Sequence, residues 1–309
     1  MQTVPALFSP SDSNKCRQIP VFPNPIHLRH RVDMTQGDQR MANGVGVLPG
    51  VSRASMPIDW APASFARTHR WDRNFFLMMV GLIWLGIGMG FGPEIVHRLQ
   101  TYARPFPPIV HVHAVAFVAW LYLLTTQVVL VRTRRTHLHM KLGVAGMVLY
   151  PVMVVLGIAA AIVVDRHHAG LPGGNAAFFS VSLADILNFA VMASAAFALR
   201  RIPSAHKRLI LLATIFISNA GFARWWEGPI LHWVTLHHGV IGYWAYAAGL
   251  FLSDLLLVLA MGAYDLVTRR RLHPAFVLGA AFGLLVEALA IELYVSPWWK
   301  PVALRLIGL

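Results

Sequence analysis

Residues 109–131 read IVHVHAVAFVAWLYLLTTQVVLV, and the next four, 132–135, read RTRR. The first stretch holds 23 residues without one Asp, Glu, Lys or Arg. A helix needs about 20 such residues to cross the hydrocarbon core of a bilayer. The arginines after it mark a short loop facing anionic lipid headgroups. Pro105, Pro107 and Pro108 precede it, and proline is tolerated in a first helical turn, where no N–H is needed.

The same alternation repeats in both directions. Apolar segments are expected at about 75–92, 109–131, 142–164, 178–199, 209–226, 239–267 and 275–299. The fourth is interrupted by Asp185 and Asn188. The fold expected is an all-α membrane protein, a bundle of about seven transmembrane helices. Loops on one side, residues 67–74, 132–141, 200–208 and 268–274, carry 14 Lys and Arg, against 5 in the opposite loops and the C-terminal tail. The positive-inside rule then places the N-terminus in the cytoplasm and the C-terminus outside. Trp225, Trp226, Trp233, Trp298 and Trp299 fall at the expected outer ends, as an aromatic belt does.

Composition agrees. The chain has 309 residues, 57% hydrophobic and 13% charged, with a mean hydropathy of +0.58. Soluble domains carry about 25% charged residues. The net charge of +13 does not point to nucleic acid, because the arginines lie in short loops between apolar runs; the partner it implies is the bilayer. The single cysteine, Cys16, excludes an internal disulfide and thiolate metal sites. Residues 1–66, rich in Pro, Ser, Asn and Arg, read as a disordered cytoplasmic tail, with Met34, Met41 and Met56 as alternative starts. Residues 67–299 form the transmembrane domain, and 300–309 a short external tail.

An ionisable group inside the bilayer costs about 2.5–3.5 kcal/mol on insertion scales, so such groups face the bundle interior or a cavity. His113, Trp120 and Gln127 are spaced by seven, which places them on one helix face. Asp185 and Asn188 are neighbours at i, i+3. Tyr243, Asp254 and Asp265 are spaced by eleven, again one face, and Glu287 lies near mid-depth of the last segment. Gln127, Asp185, Asn188, Arg224, Asp254 and Glu287 are therefore the candidates for an intramembrane polar cavity, with His113 at its edge. Carboxylates and an imidazole in such a cavity suit proton movement or cofactor propionates. The bland alternative is a set of interhelical hydrogen bonds.

The chain carries 15 histidines. Imidazoles at helix ends can ligate haem iron axially. The candidate pairs for haem b are His113 with His237, and His139 with His206. No HExxH or HxxxH motif lies on a helix, and no GxSxG, P-loop or dinucleotide motif lies in a credible context. No catalytic residue is identified.

His113, Trp120 and Gln127, then His139-Met-Lys-Leu-Gly143, then His206-Lys-Arg-Leu-Ile-Leu-Leu-Ala213 with Arg224 beyond it, resemble a group of bacterial multi-pass membrane proteins of unknown function. The resemblance covers about residues 75–267 and implies an inner-membrane location. The chain is also similar in style to dihaem cytochromes of the b561 kind, although it lacks their mid-helix histidine pairs. The function expected is non-catalytic transport, sensing or assembly. Haem-based transmembrane electron transfer is the alternative, and a membrane-embedded zinc hydrolase the second.

Overall fold

The structure, a computed structural model, describes residues 68–101, 106–170, 175–239 and 242–309. The expected tail, residues 1–66, lies outside the described residues. The chain forms α1 (Asp72–Thr101), α2 (Pro108–Arg132), α3 (Thr136–Ala169), a single 3₁₀ turn (Ala176–Phe178), α4 (Phe179–Ala198), α5 (Pro203–His238), α6 (Tyr243–Arg269), α7 (Pro274–Val295) and α8 (Trp299–Leu306). Seven of these helices are long and apolar enough to cross a membrane. The protein is thus an all-helical, multi-pass membrane protein across its described residues.

Several helix ends have local causes. Pro108, Pro203 and Pro274 occupy first turns, where proline's fixed φ is already helical. Gly239 closes α5 in the left-handed region at φ 72°, which glycine adopts without a Cβ clash. The His273 ring caps α7 by accepting a hydrogen bond from the Ala275 N–H at 3.1 Å. Residues 136–141 and 203–208, expected in basic loops, form the first turns of α3 and α5. Residues 227–238, expected as a connection, continue α5 through Pro229. A proline inside a membrane helix is tolerated because neighbouring groups re-satisfy the freed carbonyl.

α4 and α5 form the centre. Each buries 67% of its apolar window inside the protein, whereas α2 and α3 bury 17% and 22%. The outer faces of α2 and α3, with Val115, Val148 and Val155 more than 60% exposed, are left for lipid. Two helices reach α5 through glycines four residues apart. A Cβ on Gly90 would overlap the Gly221 carbonyl oxygen, and one on Gly86 the Phe222 ring. On α7, a Cβ on Gly283 would overlap the Phe216 ring, and one on Gly279 would lie 3.0 Å from Leu212. Small residues allow this close approach in membranes, where dispersion contacts replace the hydrophobic effect between helices.

The end that carries the basic clusters, called here the basic end, is closed by an ion-pair network. Asp72 on α1 accepts from Lys207 on α5 at 2.7 Å, and from Tyr264 at 2.6 Å and Arg269 at 2.8 Å on α6. Arg208, 2% exposed, grips both carboxylate oxygens of Asp265 and donates to the Ser204 carbonyl at 2.7 Å. His273 lies against Ser204 Oγ at 3.2 Å. Burial, then the Arg208 charge, pushes the His273 imidazole down to about 4; Asp265 pulls the other way, and Lys207 and Arg269 add smaller pushes downward.

Candidate intramembrane acid site

α4, α5, α6 and α7 each bring polar groups to one depth. Asp185 lies two turns into α4 with Asn188 one turn further; Asn219 lies midway along α5; Asp254 and Glu287 lie near the middle of α6 and α7. All five are buried, Asn188 and Asp254 completely. Asn219 Nδ2 donates to the Asp185 carboxyl at 3.3 Å and 3.4 Å. Asn188 Nδ2 donates to the Gly283 carbonyl at 3.2 Å, one turn before Glu287. Asp254, Glu287 and Asp185 stand close enough to one another for direct electrostatic interaction.

Acceptors outnumber donors here. Both oxygens of Asp254, Oε1 of Glu287 and the amide oxygens of Asn188 and Asn219 have no donor among the described residues. An unsatisfied buried polar group costs about 1–3 kcal/mol, so such a cluster is not retained for stability.

A cavity of about 350 Å³ leads from the end opposite the basic clusters down to Asp185 and Asn219. Its rim carries the exposed His168 and Arg224, and Asp165, Ser182 and Glu227 line its walls. Arg224 donates to the Ala220 carbonyl of its own helix at 2.6 Å, and its guanidinium lies 4.6 Å from the centre of the Phe91 ring. Of the residues picked out from sequence, Asp185, Asn188, Asp254 and Glu287 come together here, with Arg224 above them.

The remaining candidates lie elsewhere. His113 packs on Phe117 of its own helix, with ring centres 6.3 Å apart. His237 stacks on Trp233, and its Nδ1 lies 2.7 Å from the Trp233 carbonyl. Each of these rings thus contacts its own helix. His139 and His206 do meet at the basic end, with ring centres 6.4 Å apart. His206 Nδ1 lies 2.8 Å from the Ala196 carbonyl. His139 Nδ1 and the Gln127 amide oxygen are buried there without a partner. Gln127 therefore belongs with the two imidazoles and not with the acids. Among the described residues, no three of His, Cys, Asp and Glu gather closely enough to hold a metal ion.

Trp120 bonds the Thr214 hydroxyl at 3.1 Å and packs edge-on against Phe189 at 5.1 Å, which makes it a helix-to-helix tie. Asp265, on the same sequence stripe as Asp254, belongs to the Arg208 pair. Asn219 was not singled out from sequence, nor were Asp165 and His168 beside the cavity. An amide within an apolar segment was the available signal for Asn219.

Comparison with family models, curated proteins and solved structures finds no match for this chain.

Proposed function

We propose that the chain acts in transport or sensing as a multi-pass protein of a bacterial cytoplasmic membrane, with its basic end and N-terminus inside and its C-terminus outside. Its working group is the Asp185–Asp254–Glu287 cluster, which takes up and releases a proton. The observation that carries this reading is the Asp254–Glu287 pair, in direct electrostatic interaction and with three oxygens that have no donor among the described residues. Carboxylates packed this closely in a low-dielectric interior repel one another. One shared proton turns that repulsion into a short, strong O–H···O bond. The cavity above Asp185 supplies a path to water on one side. Infrared difference spectroscopy after a pH step tests the reading directly. A carboxylic-acid C=O band, lost in Asp254→Asn and in Glu287→Gln, is expected. Absence of any acid band across the pH range in which the protein stays folded rules the reading out.

A second reading rests on His139 and His206. His139 and His206, whose ring centres stand 6.4 Å apart, are the residues that would hold the iron. The carbonyl on His206 Nδ1 is the kind of outer contact that orients a ligating ring. Haem b held there would make the chain an electron-transfer protein. Reduced-minus-oxidised spectra of protein expressed with ample haem decide this: no Soret or α band ends the haem reading.

A further inference from the structure

The cavity above the acids contains a guanidinium and carboxyl groups that do not meet. The Arg224 guanidinium has one hydrogen bond, to its own helix backbone, and no carboxylate is in ion-pair contact with it among the described residues. It is nevertheless within electrostatic reach of Glu227, Glu94 and Asp185. On the cavity's other walls, Asp165 has only a long contact from the Ser182 hydroxyl at 3.4 Å. Asp185 has only the Asn219 amide. Both carboxyl groups are buried, at 2% and 7% exposure, and neither has a cation in contact. A guanidinium and two buried carboxyls thus line one space of about 350 Å³, within the 300–1,000 Å³ range of ligand pockets.

Their separation restricts the ligand. Arg224 and Asp185 interact electrostatically without touching: the guanidinium sits on the Ala220 carbonyl, one residue beyond Asn219, which holds Asp185. A ligand bridging them would do so through two charge-assisted hydrogen bonds of about 2.8 Å and the two or three bonds of about 1.5 Å between the charged ends of a small amino acid. A simple amine would leave the guanidinium unmatched, and a simple carboxylate would leave the acids unmatched. We propose that this cavity binds a small zwitterion of the amino-acid type, its carboxylate on Arg224 and its ammonium on Asp185. The Phe91 face holds the guanidinium in place, and Phe178, Val181 and Ala223 form the apolar part of the wall. The inference goes beyond the proton-binding reading, whose essential pair, Asp254 and Glu287, lies outside this lining.

Titration calorimetry on the full-length protein in mild detergent tests it, with glycine, β-alanine, acetate and methylammonium as probes. Trp225 and Trp226, adjacent to Arg224, give a second readout by fluorescence. Saturable binding of glycine or β-alanine is expected, at least tenfold tighter than acetate or methylammonium. Arg224→Gln is expected to remove zwitterion binding and leave methylammonium unchanged, while Asp185→Asn weakens methylammonium and the zwitterions together. No saturable zwitterion binding, or binding no tighter than that of the two singly charged probes, overturns the proposal. If Arg224→Gln fails to fold, the comparison of probes on the unaltered protein still decides. The infrared acid band depends on Asp254 and Glu287, so loss of that band and loss of zwitterion binding are separate failures.

Discussion

Replacing Asp254 with valine is expected to stabilise this protein while abolishing its proton chemistry. Asp254 is completely buried, and neither of its carboxylate oxygens has a donor among the described residues. Removing an unsatisfied buried polar group returns about 1–3 kcal/mol. Removing the charge also relieves repulsion on Glu287. Against this, valine does not match aspartate in shape, and a near-isosteric core replacement costs up to about 1.5 kcal/mol. The balance favours the variant by about 1 kcal/mol, or about 1–2 °C in Tm for a chain of this size. Thermal unfolding in mild detergent, followed by tryptophan fluorescence, reads the change, and the infrared acid band reads the proton. Trp120→Phe serves as the opposite control. It removes the bond to Thr214 and is expected to lose about 0.5–1.5 kcal/mol. If Asp254→Val unfolds the protein or lowers its Tm by several degrees, Asp254 is a structural anchor. The cluster is then kept for stability and not at a cost to it.

The Arg208–Asp265 pair should behave in the reverse way. Asp265→Leu leaves a buried guanidinium without its carboxylate and is expected to cost about 3–5 kcal/mol, whereas the Arg208→Leu/Asp265→Leu double variant recovers most of that loss; unfolding of Asp265→Leu, Arg208→Leu and the double variant gives the coupling energy. Gly90→Ala should destabilise by about 1–3 kcal/mol because its new methyl meets backbone at Gly221, while Gly81→Ala, with nothing within 4 Å, should gain about 0.5–1 kcal/mol. For His273, the folded value of about 4 lies below the unfolded value of about 6.5. The unfolded chain therefore binds more protons in that window, and stability present above pH ~6.5 is lost as pH falls toward 4, by up to about 3 kcal/mol. His273→Asn, which can still cap α7, should flatten the Tm profile in that window.

Which helices cross the membrane was legible from sequence; which lie at the centre was legible only in an inverted sense. Asp185 and Asn188 make α4 look like the weakest membrane segment, yet α4 is among the most buried. The reason is physical: a helix facing lipid must be apolar, and one enclosed by other helices need not be. Spacing put Asp254 and Asp265 on one face, but eleven residues is also about 16 Å along the axis. The two acids therefore serve different layers, one the cluster and one the basic-end network. His113 shares a face with Trp120 and still misses the cluster, because the helix carries it a further two turns toward the opposite end. Arg208 read as part of a basic loop; its pairing with Asp265 depends on how α5 packs against α6, which the local sequence does not encode. The Gly86/Gly90 and Gly279/Gly283 spacings were open to reading as packing motifs, but only the fold identifies α5 as the surface both meet.

The two ends of the bundle differ in a way that bears on any transport role. The acid cluster meets a cavity on one side and the network around Asp72, Arg208 and Asp265 on the other. At the basic end Asp72 ties α1 to α5 and α6, through Lys207, Tyr264 and Arg269. Opening the basic end requires separating those contacts, each a hydrogen bond to a carboxylate worth about 1.5–3 kcal/mol. In this conformation, proton exchange at the cluster should follow pH on the cavity side. Asp72→Asn removes the charge that holds Lys207 and Arg269 together and leaves the two cations to repel each other. In proteoliposomes of known sidedness, the acid band of the native chain should respond to pH steps on the cavity side and barely to steps on the basic side. Asp72→Asn should raise the basic-side response while leaving the cavity-side response in place. Equal responses from both sides in the native chain, or a variant that is destabilised yet no more permeable to protons from the basic side, would show that the network is a staple of the fold and not the closed side of the site.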